Sequence, residues 1–176
     1  MKKQPLRQLT GAAMVGGAYI TLSLLGSIFG FSFGPIQCRF AEALCVLPFL
    51  FPETAWGLFV GCLVSNLLSP YGLLDLIVGA LATLLAALLT ARCPSRYLAP
   101  LPPVLLNGIL VGGIIAFEQT GFSHAFAAAY WFNACSIAVG EAIACYGLGL
   151  LLLWRLPRIP SFRDRISPHM RDIPKE

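Results

Sequence analysis

The sequence predicts an all-α integral membrane protein with six transmembrane helices and both termini in the cytoplasm. Two features of the composition carry this prediction: 57% of the 176 residues are hydrophobic and only 11% are charged. A soluble domain carries about 25% charged residues. A third observation, the grouping of basic residues at alternate ends of the apolar segments, indicates the orientation.

Six apolar segments are separated by short polar or proline-containing stretches. They cover residues 9–29, 36–51, 54–68, 73–91, 98–117 and 125–153. A spanning helix needs about 20 mostly apolar residues, so this length accommodates about six short spans and no sizeable soluble domain. We therefore predict a six-helix membrane domain over residues 1–154 and a basic cytoplasmic tail over residues 155–176.

Basic residues determine the predicted orientation. They precede the first segment, separate the fourth from the fifth and follow the sixth: Lys2, Lys3, Arg7, Arg92, Arg96, Arg155, Arg158, Arg163, Arg165, Arg171 and Lys175. With six spans, all of them lie on one side, which the positive-inside rule assigns to the cytoplasm. We interpret the first segment as a retained helix, because it is longer than a signal-peptide core and no convincing cleavage site follows it. The net charge of +4 reflects topology, and the scattered basic residues do not predict nucleic-acid binding.

Polar side chains within the spans converge on the outer half of the predicted bundle. The set comprises Arg39, Glu42, Asn66, Asp75, Asn107 and Glu141. An ionisable group at a helix centre costs about 2.5–3.5 kcal/mol on insertion scales and usually lines a cavity or pairs with another group. The pattern predicts a polar pocket that opens outward and is closed toward the cytoplasm by apolar residues. Carboxylates and amides suit a small, planar, hydrogen-bonding ligand, including a cationic one, although a sugar or an amino acid is not excluded.

Five of these six residues also have a specific structural interpretation, whereas Glu141, deep within its segment, is the hardest to explain in this way. Arg39 and Glu42, three positions apart, are spaced for an ion pair on one helix. Asp75 suits the positive end of a helix dipole, and Asn66 suits a helix end. Asn107 suits a hydrogen bond between two helices. These alternatives stay open at the level of sequence.

Motifs for chemistry are absent from the sequence. There is no GxxxxGK[ST], HExxH or GxSxG motif, and the six cysteines form no CxxC pair. We therefore predict no enzymatic activity, no cofactor and no metal site. Without an ATP-binding motif of its own, the chain is interpreted as a solute binder that depends on another subunit for energy.

Small residues recur at four-residue spacing on the first helix. Ala12 precedes Gly16 and Ala13 precedes Gly17. This small-xxx-small pattern lets a second helix approach closely. The second helix belongs either to a partner subunit or to the same bundle.

Residues 37–89 resemble the central signature of the QueT family, and the segment IAVGEAIACYGLG, residues 137–149, is similar to a further part of it. The resemblance is carried by four motifs in order: R-x-x-E (Arg39, Glu42), G-x-x-x-x-N (Gly61, Asn66), D-x-x-x-G-x-x-x-T (Asp75, Gly79, Thr83) and GE (Gly140, Glu141). QueT proteins are substrate-binding (S) components of energy-coupling-factor (ECF) transporters, assigned to queuosine precursors.

The resemblance implies an ECF S-component-like bundle in the bacterial cell membrane. Such a subunit binds a solute from outside, here queuine or a deazaguanine, and docks on a transmembrane T component that carries two ATPase subunits. Ala13 and Gly17 would match the AxxxA docking motif of this family, with Ala12 and Gly16 as the alternative register.

The resemblance also suggests roles for the pocket residues. Glu42, Asp75 and Glu141 would pair with a guanine-like edge or an ammonium, and Asn66 and Asn107 would bind the remaining ring edges; either Phe33 or Trp131 would stack on the ring. Two other functions stay open. One is an S component or small transporter for another vitamin-like solute, and the other is a non-transport membrane subunit.

Overall fold

The computed structural model describes residues 4–29, 39–67, 69, 72–163 and 166, and the fold is described for these residues. Within these ranges the regular structure is helical throughout, with no strand. A helix forms all its backbone hydrogen bonds internally, which the absence of water in a bilayer core requires. The prediction of an all-helical chain is confirmed for the part of the sequence that the structure describes.

Six main helical segments match the six predicted apolar segments in order. They are α1 (Gln4–Ile28), α2 (Phe40–Phe49, a 3₁₀-helix), α3 (Thr54–Asn66), α4 (Gly72–Thr90), α5 (Leu101–Thr120) and α6 (Phe126–Arg158). A short helix, α7 (Pro160–Arg163), follows α6. The sixth predicted segment ends at residue 153, whereas α6 continues to Arg158.

The six segments differ in length, and this limits what the structure establishes about membrane crossing. Among the described residues, α1, α4, α5 and α6 are long and apolar enough to span a bilayer. The other two, α2 and α3, have 10 and 13 residues, which corresponds to about 20 Å each. A hydrocarbon core is about 30 Å thick. Six crossings and two cytoplasmic termini therefore remain predictions.

Glycine allows α1 and α3 to pack with their backbones in contact. A Cβ atom added at Gly57 would lie 2.0 Å from the carbonyl oxygen of Ala12, and one at Gly61 would lie 2.8 Å from that of Gly16. A Cβ at Gly16 would in turn lie 2.7 Å from the carbonyl oxygen of Gly57. This close approach follows the small-residue rule for helices in membranes.

An apolar cluster closes one end of the bundle, where α2 and α6 end and α5 begins. Its buried members include Phe49, Phe51 and Leu153. We call this the basic end, because Arg96 lies here with its guanidinium 5.9 Å from the ring centre of Trp154. The chain beyond residue 154 takes part in the cluster, since Ile166 is buried in it. The division into a membrane domain and a tail stays a prediction.

The helix α4 shows how side chains are sorted between lipid and interior. Leu81, Leu85 and Leu89 recur every four residues and are 45–50% exposed. Ala82 and Ala86, on another face of the same helix, are fully buried. An apolar exposed face of this kind is expected where the surrounding solvent is lipid.

Three of the helices contain a segment of π-helix. These segments are Asp75–Gly79 in α4, Asn107–Val111 in α5 and Ile143–Gly149 in α6. Two begin at a buried polar residue, and the third begins two positions after Glu141. Because π-helical turns occur frequently at functional sites, their positions point to the region around these polar residues.

The backbone contact between α1 and α3 leads to a prediction about Gly57. Gly57→Ala should lower the free energy of unfolding by about 1–3 kcal/mol, because the two helices must separate to admit the methyl group. Thermal unfolding of the purified protein in detergent measures this. Gly11→Ala, on α1 with open space around it, is the control and should unfold at or above the temperature of the unaltered chain. Equal stability of the Gly57→Ala variant would contradict the described packing.

Candidate functional site

Five helical segments bring polar side chains together inside the bundle. Glu42 on α2, Asn66 on α3, Asp75 on α4, Asn107 on α5 and Glu141 on α6 are each at most 6% exposed. The side chain of Arg39, just before α2, is 15% exposed. We call these six residues the polar cluster. It extends from the end of the bundle opposite the basic end to the middle of α6.

One half of the polar cluster is built around Glu42. The hydroxyl of Tyr19 on α1 donates a hydrogen bond of 2.5 Å to Glu42 Oε1. The thiol of Cys45 donates to Oε2 at 2.9 Å, and Cys145 on α6 contacts the backbone carbonyl oxygen at 3.3 Å. Cys145 also lies 3.8 Å from Glu141 Oε2, so it connects the two glutamates.

Glu141 is held by the neighbouring helix α5. The side-chain amide of Asn107 donates to Glu141 Oε1 at 2.9 Å. This is the hydrogen bond between helices that the sequence offered as the structural interpretation of Asn107. The carbonyl oxygen of the same amide, Oδ1, is buried and has no hydrogen-bond partner. A buried acceptor without a donor costs about 1–3 kcal/mol, so its retention requires an explanation.

The other half of the polar cluster is built around Asp75. The Oδ2 atom accepts a 2.5 Å hydrogen bond from Ser69 and lies 3.7 Å from Nη2 of Arg39. The Asn66 side chain donates to the backbone carbonyl of Asp75 at 3.0 Å. Asp75 Oδ1, like the Asn107 oxygen, is buried without a partner. Asp75 is therefore a fully buried carboxylate with only one oxygen in contact with donors.

Gly79 makes the arrangement of Asn66 and Asp75 possible. A Cβ atom at this position would lie 2.8 Å from Asn66 Nδ2 and 2.9 Å from Asp75 Oδ1. Any larger residue would displace one of the two buried side chains. The D-x-x-x-G spacing on α4 thus has a steric reason: the glycine lies one turn after the aspartate and leaves room for both polar groups.

A small cavity lies within the polar cluster. It is lined by Arg39, Asn107, Val111, Ile137 and Glu141. Its volume of about 10 Å³ leaves room for about one water molecule. The described residues contain no group of three His, Cys, Asp or Glu side chains that could hold a metal ion. The polar residues that line the cavity offer hydrogen bonding and charge pairing.

The structure decides between some of the alternatives left open by the sequence. Arg39 makes its ion pair with Asp75, on another helix, instead of with Glu42. Asn66 contacts Asp75 rather than closing its own helix with its side chain. Trp131 is 67% exposed and is not among the residues that line the cavity. Phe33 lies outside the described residues.

The two small-residue registers of α1 face in different directions. Ala12 and Gly16 are buried against Gly57 of α3, as described above. Ala13 and Gly17 are exposed, and no atom would lie within 4 Å of a Cβ at Gly17. One register is therefore used within the chain, and the other remains available to a partner.

Sequence reasoning missed the neutral donors of the cluster. Tyr19, Cys45 and Cys145 are not among the residues that the sequence predicted for the pocket. A signal existed, because each cysteine follows a buried glutamate by three or four positions and so shares its helix face. Tyr19 follows Gly16 by three positions and therefore lies on the buried face of α1.

Comparisons with known proteins identify the family of this chain. The sequence profile of a family described as QueT transporter matches residues 9–158. The queuosine precursor transporter QueT of Lactococcus lactis subsp. cremoris (strain MG1363) is 34% identical over 84 residues. That alignment covers 48% of this chain and 49% of the relative, so the chain matches about half the length of this curated relative. No solved structure gives a significant match. The predicted resemblance to the QueT family is confirmed by the profile match.

The hydroxyl of Tyr19 provides a test of the polar cluster. Tyr19→Phe should lower the free energy of unfolding by about 1–3 kcal/mol, because Glu42 Oε1 loses a buried donor while the ring is kept. Thermal unfolding in detergent measures the change. Tyr97→Phe removes the hydroxyl of a tyrosine that is 46% exposed and should leave stability unchanged. Equal effects of the two variants would show that the Tyr19 hydroxyl does not stabilise the cluster.

Proposed function

The chain belongs to the QueT transporter family, and we propose that it is the substrate-binding S component of an ECF importer for a queuosine precursor. The family is one of transporters, so the prediction that the chain is not an enzyme is confirmed. Together with the long apolar helices, family membership identifies a membrane protein. The S-component role, the solute and the partners are our proposal.

The polar cluster is the observation that carries this proposal. Three carboxylates and two amides, contributed by five helical segments, are buried, and two of these residues, Asn107 and Glu141, line a small cavity. Within a membrane such groups are costly, and they usually mark the path or the binding site of a solute. Two buried acceptors without donors, Asp75 Oδ1 and Asn107 Oδ1, are the atoms that a bound solute would satisfy.

The chemistry of the cluster fits a deazaguanine. A guanine-like edge presents parallel N–H donors that one carboxylate can accept, and an aminomethyl group presents an ammonium that a second carboxylate can neutralise. Asp75 and Glu141 are the candidates for these two contacts, and Asn107 has a free acceptor for a ring N–H. The name of the Lactococcus relative, a queuosine precursor transporter, supports the same class of solute. We also propose that Phe33 stacks on the ring of the solute.

The cavity indicates that the described state is closed. Small-molecule sites usually have volumes of about 300–1,000 Å³, so the helices around the polar cluster must separate before a two-ring solute fits. According to the positive-inside rule, the basic end faces the cytoplasm. We propose that the helices open at the opposite, outer end. In this orientation the chain crosses the bacterial cytoplasmic membrane six times, and the apolar cluster at the basic end seals the inner side.

Energy for uptake would come from other subunits. The sequence has no ATP-binding motif, and a T component with its ATPase subunits would supply the motor. We propose that Ala13 and Gly17 form the contact with the T component, because they are exposed on α1 while Ala12 and Gly16 are occupied by α3. Small residues permit the close helix approach that such docking needs.

Equilibrium binding is the first test of this function. The purified chain in detergent is titrated with queuine, aminomethyl-deazaguanine, cyano-deazaguanine, guanine and unrelated vitamins. We expect one deazaguanine to bind well above guanine. Glu141→Gln and Asp75→Asn should each weaken that binding by about tenfold or more, because a charged hydrogen bond to the solute becomes neutral. Glu118→Gln, at an exposed position in α5, is the matched control and should bind like the unaltered chain.

The other outcomes distinguish the alternatives. Binding of an unrelated vitamin and of no deazaguanine would keep a solute-binding subunit and reject the queuosine precursor. Absence of binding in a folded preparation would favour a non-transport membrane subunit. Unchanged affinity in both Glu141→Gln and Asp75→Asn would reject the polar cluster as the binding site.

Docking on a partner is tested separately from solute binding. Ala13→Leu combined with Gly17→Leu should reduce uptake by cells that contain the complete transporter by about tenfold or more, because the side chains keep the helices apart. Solute affinity of the purified chain should not change. Leu85→Phe, which enlarges a side chain on α4 that is already 50% exposed, is the control and should transport normally. Normal uptake by the double variant would reject this docking surface.

A further inference from the structure

The charges of the polar cluster are unbalanced. Three buried carboxylates, Glu42, Asp75 and Glu141, face one guanidinium among the described residues, that of Arg39. Glu42 has neutral donors at both carboxylate oxygens, and Glu141 has the Asn107 amide at Oε1 and the Cys145 thiol 3.8 Å from Oε2. Asp75 differs from them, because its contacts are Ser69 and Arg39 at one oxygen only. The charge of Asp75 is therefore neutralised by Arg39 alone.

The contact between Arg39 and Asp75 is a loose one. The Nη2 and Oδ2 atoms are 3.7 Å apart, whereas charge-assisted N–H···O hydrogen bonds measure about 2.7–2.9 Å. It is a single contact, without the second parallel bond that guanidinium and carboxylate groups often form. An ion pair with this geometry is poorly optimised for stability, since each buried charge has lost its hydration without gaining a strong partner.

Arg39 links Asp75 to the cavity, because it contacts Asp75 and is itself a lining residue. Its side chain lines the cavity with Asn107 and Glu141, whereas Asp75 is not part of that lining. A solute in the cavity therefore lies beside Arg39, the ion-pair partner of Asp75. At the same time, Asp75 Oδ1 and Asn107 Oδ1 are both buried without hydrogen-bond donors.

We propose that Arg39 is an exchangeable counter-ion that neutralises Asp75 while the site is empty and is displaced by the solute. This inference rests on the proposed solute-binding function. The solute is a cation with at least two N–H donors, because it must replace the charge of Arg39 and satisfy Asp75 and Asn107. Asp75 then has one positive charge beside it both before and after binding. The movement of Arg39 also enlarges the cavity.

This role differs from that of an ordinary pocket-lining residue in the sign of its effect. An arginine that donates hydrogen bonds to the solute strengthens binding, so its loss weakens binding. An arginine that competes with a cationic solute for the same carboxylate weakens binding, so its loss strengthens it. Arg39 thereby determines which charge the site selects.

The test compares two probes of the same ring system, aminomethyl-deazaguanine, a cation, and cyano-deazaguanine, which is neutral. Binding of each to the purified chain in detergent is measured for the unaltered chain, Arg39→Gln, Asp75→Asn and the exposed control Arg92→Gln. We expect the unaltered chain to prefer the cation. Arg39→Gln should raise the ratio of cation to neutral affinity by about tenfold or more, and Asp75→Asn should abolish the preference.

Specific results would overturn the proposal. If Arg39→Gln weakens both probes equally, Arg39 is a direct solute contact. If the unaltered chain binds the neutral probe as tightly as the cation, the proposed exchange of counter-ions is wrong, although solute binding stands. This comparison uses the unaltered chain, so it tests the proposal even if Arg39→Gln does not fold. If the unaltered chain binds neither probe, the proposed function and this inference both fail.

Discussion

A buried charge in a membrane must find its partners inside the protein, and the arrangement of this bundle depends on that constraint. Glu42, Asp75 and Glu141 are almost fully removed from solvent. Removing a carboxylate from water is costly unless donors surround it. The donors come from different helices: Tyr19 from α1, Asn107 from α5 and Cys145 from α6. The relative positions of these helices are therefore tied together by the polar cluster.

Small residues make this convergence geometrically possible. Gly57 and Gly61 bring α1 close to α3, and this approach places the Tyr19 hydroxyl within reach of Glu42. Gly79 leaves the space in which Asn66 and Asp75 meet. Lipid acyl chains are as apolar as the side chains of a protein interior. Close packing and hydrogen bonds therefore contribute most to helix association in a membrane. The glycines and the polar cluster thus belong to one packing solution.

The incomplete hydrogen bonding of the cluster is explained by the solute binding that we propose. A permanently structural network would be expected to satisfy all its buried acceptors, yet Asp75 Oδ1 and Asn107 Oδ1 lack donors. The π-helical segments of α4 and α5 begin at these two residues, and that of α6 begins two positions after Glu141. Such segments depart from regular helical hydrogen bonding and are common where helices carry function. The missing hydrogen bonds at these positions lower the stability of the solute-free chain, and in our proposal the bound solute supplies them.

The sequence by itself determined the class of the molecule, because composition and apolar length reflect the solvent that surrounds the chain. It predicted the helical segments, the polar residues of the cluster and the family, since each depends on local pattern or on ordered motifs. Only the tertiary structure decided the partners of those residues. It paired Arg39 with Asp75 rather than with Glu42, buried Ala12 and Gly16 instead of Ala13 and Gly17, and added Tyr19 to the cluster. These choices depend on the rotation and separation of helices that are distant in sequence, and helical periodicity specifies the faces of one helix without specifying which helix lies against them.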